Sequence, residues 1–178
     1  RYYEDQYFYS HPGINPVSLS KALFRNLREG RIVSGGSTLT MQVVRLSRKG
    51  KPRTVPQKLI EMALALRLEF GLKKEEIFRM YVSHAPFGGN VVGMDAASWR
   101  YYGRPAFKLS WGETATLAVL PNAPALIYPG RMQEALLLKR NRLLDKLEKE
   151  GVLDPLDCEL AREEPLPGKP HPLPQITP

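Results

Sequence analysis

The chain has 178 residues, a formal net charge of +8 and a single cysteine, so it fits one domain with a substantial core and excludes an internal disulfide or a cysteine-based metal site. A sequence pI near 9.7 favours an anionic partner, whether a phosphorylated substrate, an acidic lipid or nucleic acid, without choosing among them. No apolar run here is long enough to span a bilayer.

The chain opens at Arg1 and places two adjacent carboxylates among aromatics at once, in Glu4-Asp5-Gln6-Tyr7-Phe8-Tyr9-Ser10-His11-Pro12-Gly13. A carboxylate set among Tyr2, Tyr3, Tyr7 and Phe8 loses hydration, and desolvation moves its pKa toward the range where it exchanges protons near neutrality. Glu4 is therefore a candidate general base or acid; the alternative is a pair of solvated charges ahead of a His-Pro-Gly turn. With a candidate site so near Arg1, we expect a segment upstream that holds any membrane anchor.

Capped helical periodicity then runs through the chain, and no two alternating runs pair as a sheet, so the expected fold class is all-α. Asn15-Pro16 starts a helix that Gly30 ends. Arg31 to Gly36 reads as a loop with two glycines, free to adopt unusual backbone angles or to move, and a second helix begins at Ser37 or Thr38. Gly35-Gly36-Ser37-Thr38 at a helix start offers N–H groups, hydroxyls and the positive end of a helix dipole to an anion, although serine there is also an ordinary N-cap. Thr38, Gln42 and Arg45 fall on one polar face of that helix.

Thr54 with Gln57 reads as a capping box, followed from Leu59 to Leu68 by a run so apolar that it predicts a buried central helix containing Glu61. Lys58 and Glu61 share a face and pair either as an internal ion pair or as part of a basic cluster with Arg53. Lys73 to Val82 and Ala96 to Tyr102 read as further helices. Ser110 with Glu113 opens another, and Met132 to Glu150 forms a long one. Trp99, Tyr101, Tyr102 and Trp111 read as core. Arg140 and Arg142, taken alone, read as solvated charges. Asp154 to Ala161 gives a short helix around Cys158, whose acidic surroundings do not suit a catalytic thiol. The division expected is a domain over 1–162 and a Pro-rich, semi-rigid linker over 163–178 leading to a further domain. One proton-transferring carboxylate beside a cluster of cations suits transfer from a phosphate-activated donor to a hydroxyl.

Five ordered motifs resemble the peptidoglycan glycosyltransferases of family 51, found in class A penicillin-binding proteins and monofunctional transglycosylases. They are Glu4-Asp5-x-x-Phe8-x-x-His11-x-Gly13, Gly35-Gly36-Ser37-Thr38-Leu39-Thr40-Met41-Gln42, Arg53-Thr54 with Lys58-x-x-Glu61, Lys74-x-x-Ile77-Phe78-x-x-Tyr81-Val82, and Arg140-x-x-Leu143-Leu144. Ala85-Pro86-Phe87-Gly88-Gly89 and Ala118-Val119-Leu120-Pro121 look closest to the bifunctional, 1C-like branch of that family. Met41 and Ser83 depart from its commonest pattern, which has Gln and Asn there.

The resemblance implies a lysozyme-like, two-lobed helical domain with a substrate groove between the lobes, over which Gly30 to Gly36 would form a mobile flap. It implies polymerisation of lipid II into β-1,4 glycan with inversion and release of polyprenyl diphosphate. Glu4 stands at the family's catalytic base and Glu61 at its second functional glutamate. Asp5, Phe8, His11, Gly36, Ser37, Thr38, Gln42, Arg45, Arg53, Lys58 and Arg140 stand at substrate-binding positions. Family members often use a divalent cation, Mg2+ or Mn2+, at the donor diphosphate. The implied partners are lipid II, the growing lipid-linked glycan, the outer leaflet of the bacterial plasma membrane on its extracytoplasmic face, and a C-terminal transpeptidase domain; nucleic acid has no place among them. Two rival readings remain. One is a lytic enzyme of the same fold with Glu4 as general acid, and the other a non-enzymatic basic binding domain.

Overall fold

Local start and stop signals account for the helices of the computed structural model, which describes residues 1–30, 36–48, 54–168 and 170–172. The described residues form eight α-helices and no β-strand, with isolated bridges only between Pro86 and Val92 and between Tyr128 and Arg131. The all-α expectation holds. The chain divides into two compact units, Arg1 with Tyr3–Tyr81, and Tyr2 with Val82–Pro178. The expected flap falls almost wholly on residues 31–35, outside the described ones.

In the first unit, α1 (Pro16–Glu29) starts with the Asn15 side chain accepting from Ser18 N at 3.0 Å and ends at left-handed Gly30. Helix α2 (Leu39–Ser47) has Thr38 as its N-cap, accepting from Met41 N. Helix α3 (Val55–Gly71) follows Thr54, which accepts from Gln57 N at 3.4 Å. Helix α4 (Lys74–His84) carries Glu75 and Glu76 in its first turn, where carboxylates complement the helix dipole.

The small core of this unit joins Met41 and Val44 of α2 to Ala65 of α3, with Met62, Leu64 and Leu68 packed against it. Helix α3 is therefore not the buried central helix that its composition predicts. Only Glu61 and Ala65 are buried along it, while Val55, Leu59, Ile60 and Phe70 are exposed, Phe70 at 90%. One-sided packing on α2 explains this, because an apolar helix needs neighbours on every side to bury its whole circumference. Helix α1 is similarly one-sided, burying Ala22 and exposing Val17, Leu23, Phe24 and Leu27.

Two glycines bring backbones together in this unit. At Gly13, with φ of +81°, a Cβ would lie 2.9 Å from both Ala65 O and Glu69 Cγ. At Gly36, with φ of +52°, it would lie 2.9 Å from Ser18 O.

The second unit begins with a turn in which the buried Tyr101 hydroxyl donates to Phe87 O and Gly88 O, at 3.0 and 3.1 Å. Helix α5 (Met94–Tyr102) ends at left-handed Gly103. Helix α6 (Trp111–Val119) opens with the expected capping box of Ser110 and Glu113. Long α7 (Gln133–Lys149) and short α8 (Pro155–Glu163) complete the unit. Leu117, Leu120, Leu136, Leu143, Leu144, Cys158 and Ala161 form its buried interior. Trp99 and Trp111 are partly exposed rather than core residues.

Arg140 departs from the solvated reading. It is 1% exposed, and it donates through Nη1 to Glu164 O at 2.6 Å, through Nη2 to Arg162 O at 2.8 Å and through Nε to Asn141 Oδ1 at 3.0 Å. The guanidinium thus satisfies carbonyls at the end of α8 that have no helical partner. The segment after α8 is docked where described. Gln133 Nε2 donates to Pro167 O at 3.1 Å, Arg100 Nη1 to His171 O at 2.5 Å and His171 N to Arg100 O at 2.6 Å.

Gly13→Ala should lower the stability of the chain by about 2 kcal/mol, since it combines positive-φ strain with a backbone clash; a denaturant melt measures it. Arg140→Ala should cost about 3 kcal/mol by leaving buried carbonyls unpaired and a cavity. An unchanged melt for Arg140→Ala would mean that this side chain does not hold α8.

Candidate functional site

The segment that carries Glu4 is fixed from below by its neighbours. Asp5 is buried, and its carboxylate accepts from His11 Nε2 at 3.0 and 3.1 Å and from Leu39 N at 3.0 Å. The carboxylate thereby caps α2 from 34 residues away and holds His11 with a proton on Nε2. Phe8 is fully buried, its ring 6.2 Å from that of Phe78, and the Lys74 ammonium stands 4.4 Å from the Phe8 ring centroid. Lys74 Nζ donates to His11 O at 2.6 Å and to Glu69 Oε1 at 2.7 Å, and Thr40 Oγ1 donates to the same oxygen. Thr38 Oγ1 donates to Gly13 O at 2.6 Å. Asp5, Phe8, His11 and Thr38 are thus inward-facing residues that set the shape of the segment.

Glu4 itself is half-buried, and its Oε2 accepts from Gln42 Nε2 at 2.9 Å. Tyr7, expected beside it, is 60% exposed. One turn along α2 from Gln42, Arg45 grips Glu61 of α3 through Nε at 3.0 and 3.2 Å and through Nη2 at 2.6 Å. Arg45 Nη2 also donates to Ser37 Oγ at 3.3 Å. Arg45 is the bidentate partner of Glu61, since a guanidinium matches a carboxylate in this way where an ammonium cannot. Lys58 is half-buried beside this pair. Burial and then the Arg45 charge push its pKa below the ordinary lysine value, with Glu61 opposing.

The helix entrance differs from a phosphate cradle. Of the first three N–H groups of α2, Leu39 N is taken by Asp5 and Met41 N by Thr38. What faces outward from this region is the side-chain set Glu4, Ser37, Gln42, Arg45 and Lys58. Gly36 serves the close approach to Ser18 and Ala22. Arg53 lies outside the described residues. Arg140 belongs to the second unit and is tied to α8.

A divalent cation would need oxygen donors free to converge on it. Both oxygens of Glu61 are held by Arg45, and no three His, Cys, Asp or Glu side chains among the described residues come together to hold an ion. These residues do not fit a protein-held metal. Burial pushes the Cys158 thiol up to about 11, which leaves no thiolate nucleophile.

Sequence reasoning gave no site role to Lys74, Glu69 or Tyr81. Lys74 and Tyr81 stood in a recognised motif, but nothing local showed that Lys74 would reach His11 O across 63 positions. Glu69 had no signal beyond its nearness to Lys74.

A family model described as Transglycosylase matches residues 2–148. The chain is 44% identical to Penicillin-binding protein 1C of Escherichia coli (strain K12), over 99% of this chain and 23% of that protein. It is 37% identical to Penicillin-binding protein 1A of Aquifex aeolicus (strain VF5), over 93% of this chain and 23% of that protein. The crystal structure of Penicillin-Binding Protein 1A from Haemophilus influenzae is similar with a TM-score of 0.51 and 26% identity, over 57% of this chain and 15% of that one. The chain spans about 23% of the length of the first two relatives. A match over residues 2–148 and a helical fold shared with Penicillin-Binding Protein 1A lead to one assignment: the chain belongs to the transglycosylase family.

Proposed function

We propose that the chain is a peptidoglycan glycosyltransferase domain that polymerises lipid II, with Glu4 as general base. The observation that carries this reading is the shared face of α2. Gln42 holds Glu4, and one turn away Arg45 is held by Glu61, so one helix face both holds a proton acceptor and carries a cation. A neutral glycan as sole substrate brings no anion to Lys58 and the Glu61-held Arg45, whereas a lipid-linked diphosphate does.

In this mechanism Glu4 takes the proton of the acceptor sugar hydroxyl as its oxygen attacks the anomeric carbon of the donor. The bond from that carbon to the diphosphate oxygen breaks, its electron pair leaves with the polyprenyl diphosphate, and attack from the opposite face inverts the centre to give a β-1,4 link. Ser37, Arg45 and Lys58 meet the developing charge on the leaving diphosphate, where fixed donors in a poorly hydrated site are most effective. Glu61 acts through Arg45, keeping its guanidinium planar to the site. By its place in the third motif Arg53 is a donor-binding residue in the same reading, and Arg140 supports the second unit through α8. No step is routed through a metal.

The exposed Val17, Leu23, Phe24 and Leu27 of α1, interleaved with Lys21, Arg25 and Arg28, favour a membrane surface as the place of work, since apolar and basic side chains on one helix suit a bilayer interface. No helix among the described residues is long and apolar enough to cross a membrane. Within this reading, as in the family resemblance, the domain works at the extracytoplasmic face of the bacterial membrane, with an anchor and a transpeptidase domain elsewhere in the full protein.

Glu4→Gln should lower the rate of labelled lipid II polymerisation by at least about 10² while leaving the melt unchanged, because glutamine still accepts from Gln42. Shortening of preformed glycan by the parent, without polymerisation, would instead establish the lytic reading. Lys58→Ala should raise the KM for the lipid-linked donor about tenfold, the loss of one charge-assisted contact. A fall in thermal stability without that change in KM would make Lys58 a structural cation.

A further inference from the structure

Helix α4 turns one face toward the segment that carries Glu4. Lys74, Phe78 and Tyr81 lie at i, i+4 and i+7, which stacks them on one side of a helix. The first two members of that row grip the segment: Lys74 donates to His11 O at 2.6 Å, and the Phe78 ring lies 6.2 Å from the Phe8 ring. Tyr81 continues the row. It is only 7% exposed, yet its hydroxyl has no hydrogen-bond partner among the described residues. A buried hydroxyl without a partner is costly and calls for a reason. Burial, and then the charge of Glu4, push its pKa well above the ordinary tyrosine value, so the phenol stays protonated at any working pH and can only be a donor toward a carboxylate.

We propose that Tyr81 is a positioning residue for the proposed base, its O–H donating to the Glu4 carboxylate as the acceptor sugar engages and so fixing the ionised form in line with the hydroxyl to be deprotonated. Hydrogen bonds of this kind are often open in the free enzyme and close in the complex. A donor to the charged form of a carboxylate favours that form and lowers its pKa. Three charged pairs lie around this face, and Lys58 stands beside one of them. Asp5 is paired with His11 in the same segment, Arg45 of α2 with Glu61 of α3, and Lys74 of α4 with Glu69 of α3. Gln42 donates to Glu4 Oε2 at 2.9 Å, and Tyr81 is a second neutral donor, its hydroxyl without a partner among the described residues.

The proposal rests on Glu4 being the base, and the test separates the two. Tyr81→Phe, Glu4→Gln and the double mutant of the full chain are compared in polymerisation of labelled lipid II across pH, with a thermal melt of each. Tyr81→Phe should lower kcat about tenfold, leave KM near the parental value, and move the acid limb of the pH profile to higher pH. Its melt should stay level or rise, because an unpaired buried hydroxyl has been removed. In the Glu4→Gln background the same change should have no further effect. A parental kcat and acid limb in Tyr81→Phe, with Glu4→Gln inactive, would overturn the role of Tyr81 alone, as would a lowered melt with normal kcat. An active Glu4→Gln would overturn the base reading first, and this proposal with it.

Discussion

One carboxylate organises the first unit. Asp5 closes the N-terminus of α2 through Leu39 N and at the same time clamps His11. Because Asp5 is the immediate neighbour of Glu4, that single cap fixes the distance between the proposed base and the helix that holds Gln42 and Arg45. A carboxylate at a helix N-terminus is favoured by the dipole and by an otherwise unpaired N–H. Here the stabilisation has a geometric product, since an element 34 positions away in sequence is set against the segment carrying Glu4.

The remaining polar groups beneath Glu4 form a chain from Thr40 through Glu69 and Lys74 to His11 O. Burying two charges is costly unless each is paired and further hydrogen-bonded. Glu69 and Lys74 meet that condition, Glu69 with two donors and Lys74 with a carboxylate, a carbonyl and the face of Phe8. The arrangement leaves the turn at Gly13 no room for a side chain. The first motif therefore has two sides, a buried one of Asp5, Phe8 and His11 that sets shape, and a half-open one, Glu4, that is available for chemistry.

Much of this was legible in the residues. Helix starts at Asn15-Pro16 and Ser110, stops at Gly30 and Gly103, and the polar row on α2 follow from local rules of capping and periodicity, which act within a few residues. Contacts across tens of positions were not legible, and they decide the site. Arg45 of α2 takes Glu61 of α3 bidentately, and Asp5 takes an N–H at the helix entrance that the local motif offers to an anion. The burial of α3 was misjudged because composition states how apolar a helix is, while the number of neighbours packed around it is a property of the fold. Arg140 illustrates the reverse, a charge that looks solvated in sequence and is held inside by carbonyls of a later helix.

The docked segment after α8 is held mainly through its acceptors. Pro165, Pro167, Pro170 and Pro172 have no N–H to give, and the side chains of Gln133 and Arg100 reach out to the carbonyls of Pro167 and His171. A strip of backbone so poor in donors cannot template a second strand along its open edge. The described part of the tail can therefore lie extended on the helices of its own unit without inviting a neighbouring chain to pair with it.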